Sequence, residues 1–317
     1  MTTRAPFVVT IIASAAKLSA GYEEALIEYL EDHNIEVSGT KELSGRAKDI
    51  FLTGPTDLDL SEVREAVARF EKQGVANGID LVVQRNDEFR KNKKLVVFDM
   101  DSTLIEQEVI ELIAAYAGVE KKVAEITHRA MNNEIDFAES LRERVALLKG
   151  IKVANLYQEI SSKLKVTEGV RDFVQCLKAI GSKTAVLSGG FTPFANFIKD
   201  NLELDFAKAN FLATETDSNG DTVLNGYTEG DIVDGECKAR TLKALATELN
   251  IPIEATLMVG DGGNDLPAMN VAGFGIAWNA KPKVQQAAPA KLNTTSMRDA
   301  LYILGFSEED ISHCHRL

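Results

Sequence analysis

Apolar and polar positions follow two different periods along the first 84 residues. Four short stretches rich in β-branched residues are typical of strands, and two stretches with apolar residues every three or four positions are typical of amphipathic helices. In chain order they predict strand, helix, strand, strand, helix, strand, which is the βαββαβ order of a split, ferredoxin-like domain. The stretches are FVVTII, GYEEALIEYLEDH, IEVSGTKEL, KDIFLTG, LSEVREAVARFEKQG and IDLVVQ.

The pattern changes after the polar stretch RNDEFRKNKK at 85–94, which we interpret as a linker. From Leu95 onward, short apolar runs alternate with helical patterns. Apolar runs of this kind suit parallel strands that are buried on both faces, and their alternation with helices predicts a doubly wound α/β sheet. The runs are KLVVFD, SKTAVLSGG, ATLMVGDGG and GFGIAWN.

A long segment with helical periodicity separates the first two apolar runs, from Val109 to about Lys165. A crossover between parallel strands needs only one helix, so the excess predicts a separate helical cap at about 109–165. Farther along, Asn219 and Gly220 lie between β-prone segments and predict a hairpin. We therefore predict an N-terminal ferredoxin-like domain at 1–86 and an α/β domain at 93–317 that carries the cap.

Composition narrows the classes of function. The chain has 317 residues, 45% of them hydrophobic, and a net charge of −13, with its charged residues spread along the chain more than in blocks. Such an acidic protein is a poor nucleic-acid binder, and no apolar stretch approaches the roughly 20 residues of a membrane span. The odd number of cysteines, without a CxxC spacing, fits a reducing compartment and predicts a cytoplasmic protein. The apolar start also resembles a secretory signal, but the helix that follows at once favours a strand over Phe7–Ile12.

Polar side chains follow three of the predicted buried strands. Asp99 comes after LVVF, Ser188 after TAVL, and Asp261 after LMVG. Because the carboxyl ends of strands in an open parallel sheet form the ligand crevice, we expect these three side chains to converge. The sequence therefore predicts one site built from distant segments of the chain.

The residue types at these strand ends suit phosphoryl chemistry. A carboxylate such as Asp99 is ionised at neutral pH and can act as a nucleophile that forms an acyl phosphate. Its approach to a phosphate dianion must be offset by cations. Asp99 and Asp261 supply oxygen ligands suited to Mg²⁺, and Lys238 is a second positive charge. Ser188 and the backbone N–H groups of the following glycines can donate to phosphate oxygens.

Asp101 and Thr103 lie in the same short stretch as Asp99. Asp101 is two residues farther on, so it can turn towards the reaction centre and serve as a general acid and then a general base. We expect Thr103 to hydrogen-bond back into the loop and to hold its shape. An aspartate pair of this kind can also be a simple turn or helix cap, but the other strand ends would then be coincidence.

Four motifs occur together: DxDxT at 99–103, Ser-Gly-Gly at 188–190, Lys238, and GDGxND at 260–265. Over residues 94–295 the chain resembles the haloacid dehalogenase superfamily of phosphatases. The stretches DMDSTLIEQEVIELIA, AMNNEIDFAESLRERVALLKG and VLSGGFTPF are similar to the phosphoserine phosphatases of that superfamily. The N-terminal region resembles an ACT-type amino-acid-binding domain through its element order alone, and a purely structural or dimerising module stays open.

The resemblance implies the roles of the motif residues. Asp99 would be the nucleophile and Asp101 the acid and base, with the Asp101 backbone carbonyl also contacting Mg²⁺. Asp261 would complete the metal ligands, and Asp265 would be a supporting carboxylate. The phosphoryl group would be held by Ser188, Gly189, Lys238 and Asn264.

The resemblance also implies a substrate, O-phospho-L-serine, which would be hydrolysed to L-serine and phosphate as a step of serine biosynthesis. Glu108 would bind the ammonium and Arg144 the carboxylate, with Met131 and Phe137 lining the cap. An arginine fork is a natural partner of a carboxylate. Arg142 and Arg144 are two positions apart on a predicted helix and face apart, and the family position favours Arg144.

Two other functions stay open. One is a phosphotransferase or mutase that passes the phosphoryl group to another hydroxyl. The other is a non-catalytic amino-acid sensor, against which the intact set of Asp99, Asp101, Lys238 and Asp261 argues. A homodimer formed through the N-terminal domain is a further expectation.

Overall fold

Two β-sheets organise the chain, one near the N-terminus and one in the remainder. The computed structural model describes residues 5–15, 17–74, 78–132 and 134–316. The first sheet has four strands and the second has seven. No helix in the described ranges is long and apolar enough to cross a membrane.

The N-terminal sheet has the strand order β2-β3-β1-β4, and each of its pairings is antiparallel. The predicted ferredoxin-like order is therefore confirmed, and β1 is a buried central strand. Leu26 and Leu30 of the first helix and Val63 and Val67 of the second pack on one face of the sheet. The elements are β1 (Phe7–Ala13), α1 (Ala20–Asp32), β2 (Glu36–Ser44), β3 (Ala47–Thr53), α2 (Leu60–Gln73) and β4 (Ile79–Arg85).

The second sheet has the order β11-β10-β9-β5-β6-β7-β8 and is parallel except for its last pair. This confirms the predicted doubly wound α/β fold. Its elements are β5 (Leu95–Phe98), α3 (Val109–Ala117), α4 (Glu120–Met131), α5 (Phe137–Ala146), α6 (Val153–Lys163), α7 (Val170–Ala179), β6 (Lys183–Phe191), α8 (Thr192–Leu202), β7 (Phe206–Thr216), β8 (Thr222–Glu229), α9 (Gly235–Glu248), β9 (Thr256–Gly260), α10 (Leu266–Val271), β10 (Phe274–Trp278), α11 (Pro282–Ala287), β11 (Ala290–Leu292), α12 (Ala300–Ile303) and α13 (Glu308–Cys314).

The central strand β5 is apolar throughout because both of its faces are covered. Val96 and Phe98 belong to the hydrophobic core on one face, and Leu95 and Val97 to the core on the other. Successive side chains of a strand point to opposite faces, so an uninterrupted apolar run is what two cores require. The strand is thereby fixed in the middle of the sheet, and its carboxyl end carries Asp99.

Helices α3–α6 form the insert between β5 and β6, and the two ends of the insert are joined at its base. Ile105 pairs with Val166 in an antiparallel bridge. The Glu106 N–H donates to the Lys165 carbonyl at 2.9 Å, and the Thr167 N–H donates to the Leu104 carbonyl at 2.9 Å. The insert therefore stands on a two-stranded stem directly after the Asp99 loop.

The predicted hairpin is formed by β7 and β8. Asp217 closes its turn, because the Asp217 Oδ1 accepts from the N–H groups of Asn219 and Asp221 at 2.8 and 2.9 Å. Gly220 has a φ of 82°, a conformation that favours glycine.

The polar stretch between the two sheets is more ordered than a linker. Arg90 is buried, and its guanidinium binds both carboxylate oxygens of Asp49 in β3 at 2.9 and 2.7 Å. Its Nε donates to the Ile303 carbonyl of α12 at 3.1 Å. Lys93 is also buried and donates to the Glu254 carbonyl at 2.8 Å. The charged side chains of this segment therefore hold the two sheets together.

Candidate active site

The three predicted strand ends meet at one edge of the second sheet, where β9, β5 and β6 are neighbours. Asp99 follows β5, Asp261 follows β9, and Ser188 lies in the carboxyl-terminal half of β6. One carboxylate oxygen from each of Asp99, Asp261 and Asp265 lies within 4.8 Å of the others. The expected convergence of distant segments is therefore present.

Lys238 of α9 lies at the centre of this carboxylate group. Its Nζ donates to Asp99 Oδ1 and to Asp265 Oδ1, each at 2.8 Å, and its side chain has 0% exposure. Burial alone would lower the pKa of Lys238, but Asp265 and Asp99 more than offset it, and its pKa lies above the ordinary value. Lys238 is therefore a permanent positive charge beneath Asp99.

Thr103 has a different contact from the one we predicted. Its hydroxyl donates to Asp261 Oδ1 at 3.0 Å instead of bonding back into its own loop. The prediction of an intraloop bond was wrong because β5 and β9 are adjacent, which places the Asp261 carboxylate directly beside the buried threonine. Thr103 thus joins the first motif to the fourth.

The loop after Asp99 turns Asp101 away from the carboxylate group and towards the helical insert. Asp101 Oδ1 accepts from the Val109 N–H at the start of α3 at 3.0 Å. Between them, Ser102 has a φ of 53°, in the left-handed region that non-glycine residues rarely adopt. Strain of this kind persists where surrounding contacts over-determine the backbone.

Ser102 also holds Glu108, which faces the cavity from the end of the same loop. The Ser102 hydroxyl donates to Glu108 Oε1 at 2.7 Å. Burial raises the pKa of the Glu108 carboxyl above its ordinary value, although the bond from Ser102 opposes this. Ser102 was not among the predicted site residues, and its position between Asp101 and Thr103 of DxDxT was the available signal.

A cavity of about 540 Å³ lies between the carboxylates and the helical insert. Arg144 of α5 lines it, whereas the exposed Arg142 lines a separate surface cavity. The Arg144 Nε donates to the Ser140 carbonyl at 3.2 Å, and burial lowers the pKa of its guanidinium. The other predicted residues that line this cavity are Asp99, Asp101, Glu108, Met131, Phe137, Gly189, Asp261 and Asn264.

Ser188 and Lys238 do not line the cavity, because both are fully buried behind it. Ser188 Oγ accepts from the Gly190 N–H at 2.9 Å, which shapes the loop after β6. A Cβ at Gly189 would approach the Phe137 ring to 2.7 Å, so a larger residue would require this ring of the insert to move. The loop is therefore fixed on one side by Ser188 and on the other by Phe137.

Asn210 of β7 is a buried residue that the sequence analysis missed. Its Nδ2 donates to the Gly189 carbonyl at 2.9 Å, and its Oδ1 accepts from the Val233 N–H at 2.8 Å. Val233 leads into α9, which carries Lys238. Asn210 thus joins the Ser-Gly-Gly loop to the base of the lysine helix, and nothing in the mixed polar and apolar sequence of β7 marked it as a site residue.

Negative charge exceeds positive charge in this site. Five carboxylates, those of Asp99, Asp101, Glu108, Asp261 and Asp265, face Lys238 and Arg144. Burial, followed by the charges of Glu108 and Asp99, raises the pKa of Asp101 well above its ordinary value.

Two of the converging carboxyls show the same effect. Burial and the charges of Asp99 and Asp265 raise the pKa of Asp261 to about 8. Burial and Asp99 raise that of Asp265 to about 6. A nearby cation would favour the ionised form of carboxyl groups whose pKa is raised in this way.

The donor set fits a divalent metal ion. Asp265 has both oxygens engaged, since Oδ1 accepts from Lys238 and Oδ2 accepts from the Gly262 N–H at 3.0 Å. Asp99 and Asp261 each accept a bond at Oδ1. Carboxylate oxygens brought together in excess of the nearby positive charge are hard ligands of the kind that oxygen-preferring cations require. The group therefore forms a site that could hold a metal ion.

Comparison with known proteins agrees with this geometry. Residues 93–273, more than half of the chain, match the family of haloacid dehalogenase-like hydrolases. The chain belongs to this family of hydrolases, and the resemblance drawn from its motifs is confirmed. It is 53% identical over 308 residues to phosphoserine phosphatase from Saccharomyces cerevisiae, covering 96% of this chain and 98% of that protein.

Solved structures extend the likeness to the fold. The unliganded probable phosphoserine phosphatase from Vibrio cholerae is 32% identical, with a TM-score of 0.70 over 99% of this chain and 89% of that chain. A phospho-aspartyl intermediate analogue of phosphoserine phosphatase is 38% identical, with a TM-score of 0.61 over 67% of this chain and 99% of that chain.

Proposed function

We propose that the protein hydrolyses O-phospho-L-serine to L-serine and phosphate through an aspartyl phosphate on Asp99. The observation that supports the proposal is a single cavity with carboxylates at two places on its walls and a guanidinium at a third. Asp99 and Asp261 lie at the sheet, Glu108 lies at the stem of the insert, and Arg144 lies on α5. Glu108 and Arg144 are partners of opposite charge for an ammonium and a carboxylate. A phosphate would be balanced by a metal ion held by Asp99 and Asp261 and by the nearby Lys238.

We propose Mg²⁺ as the cofactor, held by the side chains of Asp99 and Asp261 and by the Asp101 backbone carbonyl. When bound, the ion neutralises phosphate charge and so lowers the repulsion between the substrate and Asp99. Asp265 would act through Lys238, because both of its oxygens already accept hydrogen bonds. Lys238 then serves as the fixed cation of the site.

In the first step, an Asp99 carboxylate oxygen forms a bond to phosphorus as the bond from phosphorus to the serine oxygen breaks. Asp101 donates its proton to that departing oxygen, which its raised pKa supports. In the second step, water attacks phosphorus, its proton passes to Asp101, and the bond to Asp99 breaks. Gly189 and Asn264, which line the cavity, would hold the phosphoryl group throughout. Lys238 and Ser188 would support it from behind, through Asp99 and the Gly190 N–H respectively.

Recognition of the amino acid belongs to the insert and its stem. Arg144 would bind the substrate carboxylate, and Glu108, aligned by Ser102, would bind the ammonium. Met131 and Phe137 would close the apolar sides of the cavity, and excluding water strengthens each of these charge pairs.

Other predictions about the whole chain stay proposals. We propose a domain boundary between residues 86 and 93, a cap at about 109–165, and an ACT-like N-terminal domain through which two copies associate. The cytoplasmic location also stays a prediction.

A substrate panel tests the function. Purified protein should release phosphate from O-phospho-L-serine much faster than from O-phosphoethanolamine, which lacks the carboxylate, and only with Mg²⁺ present. Competing alcohols should not accept the phosphoryl group, which separates hydrolysis from transfer. Equal rates on both substrates, or phosphorylated alcohol as the main product, would contradict the proposal.

A further inference from the structure

A second cavity, of about 730 Å³, lies at the junction of the two sheets and is separate from the catalytic cavity. One wall comes from α2 and β4 of the N-terminal sheet, and the other comes from α11, β11 and the residues between them. Its apolar lining includes Val67, Leu81, Val83, Ala288 and Pro289. A cavity with such walls can accommodate a small molecule with a compact apolar body.

Arg64 of α2 gives this cavity a polar group without a partner. Its Nε is buried, and no described residue accepts a hydrogen bond from it. Burial is the main cause that lowers the pKa of the Arg64 guanidinium, and the positive charge of Arg85 lowers it further. A buried polar group without a partner is unfavourable, and in native proteins most such groups are satisfied.

The remaining charges of the cavity increase its positive potential. Lys72 and Lys291 also line it, and the single lining carboxylate, Glu71, is paired with Lys291 at 2.9 Å. The described lining therefore holds three cations and one carboxylate. This is the reverse of the whole chain, whose net charge is −13.

We propose that this cavity binds a small carboxylate with a compact apolar body, whose anionic head pairs with the Arg64 guanidinium. A planar guanidinium matches a carboxylate in a two-bonded geometry. An amino acid fits less well, because Glu71, the carboxylate among the described lining residues, is already paired with Lys291 and so is a poor partner for its ammonium. The ligand class is thus a simple or oxo acid with an apolar tail.

The position of the cavity gives binding a measurable consequence. A molecule in it would contact both α2 and β11, and β11 pairs with β10 in the second sheet. A ligand that binds only the folded arrangement stabilises it in proportion to its concentration. Binding should therefore raise the thermal unfolding midpoint of the whole protein.

Calorimetric titration of the full chain with 4-methylpentanoate tests the proposal. Arg64→Gln should weaken binding by about 10-fold or more, because it removes a charged partner. Arg69→Gln is the matched control, since Arg69 lies on the same helix, is exposed, and pairs with Glu65 at 3.7 Å. L-Leucine differs from the probe by its ammonium alone and should bind about 10-fold more weakly.

Several results would overturn the proposal. These are no binding of 4-methylpentanoate at millimolar concentrations, equal binding to Arg64→Gln, or equal affinity for L-leucine. Binding that is lost with Arg144→Ala instead would place the probe in the catalytic cavity. Without ligand, Arg64→Gln should be at least as stable as the unchanged protein, and a lower midpoint would make Arg64 a packing residue.

Discussion

The catalytic cavity and the junction of the two sheets both bury carboxylates, but they balance them differently. At the junction, Asp49 accepts from both terminal nitrogens of Arg90 and from the Thr10 hydroxyl. At the catalytic cavity and directly behind it, five carboxylates are grouped with two cations, and the pKa values of Asp101 and Asp261 are raised. A paired charge holds the fold together, whereas an excess of one charge prepares a site for a cation and a proton transfer.

The difference predicts which property each region controls. Substitutions in the cavity should change turnover with little loss of stability, because removing one carboxylate also relieves repulsion among the others. Substitutions at the junction should change stability with little loss of turnover, because they leave a buried charge without its partner. Each variant below tests one side of this comparison.

Asp99→Asn should have the largest effect and should lower kcat by at least about 10⁴-fold, since the amide is not a nucleophile. Lys238 keeps its bond to Asp265, so the variant should remain folded. Phosphate release and thermal unfolding, measured on the same preparation, check both statements. Normal Mg²⁺-dependent turnover in this variant would remove Asp99 from the mechanism.

Asp49→Ala should lower the free energy of unfolding by about 3–5 kcal/mol, because Arg90 stays buried without its carboxylate. Chemical denaturation measures the loss, and turnover per folded molecule should stay near that of the unchanged protein. A double variant, Asp49→Leu with Arg90→Met, is the control, since replacing both partners by apolar groups should recover most of the stability. A double variant as unstable as Asp49→Ala would show that the loss of stability does not come from breaking the Asp49–Arg90 pair.

Arg144→Ala should reduce kcat/KM for O-phospho-L-serine by about 10- to 100-fold, the value of one charged hydrogen bond. A simple aryl phosphate, which has no carboxylate, should lose far less. Arg142→Ala is the matched control, because Arg142 is exposed on the same helix and lines another cavity. Equal losses on both substrates would exclude a carboxylate clamp.

Much of the fold could be predicted because its signals are local. Apolar runs buried on both faces identified β5, β6, β9 and β10, and turn residues identified the β7–β8 hairpin. The three-residue strand β11 was missed, since Ala290–Leu292 is too short to show a period. Arg90 was assigned to a linker because its burial depends on Asp49, a residue 41 positions away.

The site was predictable to the extent that strand ends converge. Topology alone brings Asp99 and Asp261 together, but the bond of Thr103 depends on which strands are neighbours. From its sequence alone, Lys238 would be interpreted as an ordinary surface lysine. Its complete burial is stabilised by its ion pairs with Asp99 and Asp265. Asn210 lies in a strand of mixed polar and apolar residues, and nothing nearby in sequence indicates that it holds the Ser-Gly-Gly loop.

A further expected effect is a pH dependence of stability in metal-free protein. The pKa of Asp261 is about 8 in the folded protein, against an ordinary value of 3.8. The folded state therefore holds this proton more tightly than the unfolded state does. Its contribution to stability is complete below the ordinary pKa and is lost as the pH rises through the folded pKa.

Thermal unfolding with a chelator should therefore show decreasing stability between about pH 5 and pH 8, a decrease that Asp261→Asn should reduce. Mg²⁺ should also diminish it, because a bound cation favours the ionised carboxylate. The carboxylate of Asp49 at the junction differs from those of the cavity, since Asp49 is paired with Arg90 whether or not metal is present. A profile unchanged by both Mg²⁺ and Asp261→Asn would show that the cavity does not hold its carboxylates in the unbalanced state described above.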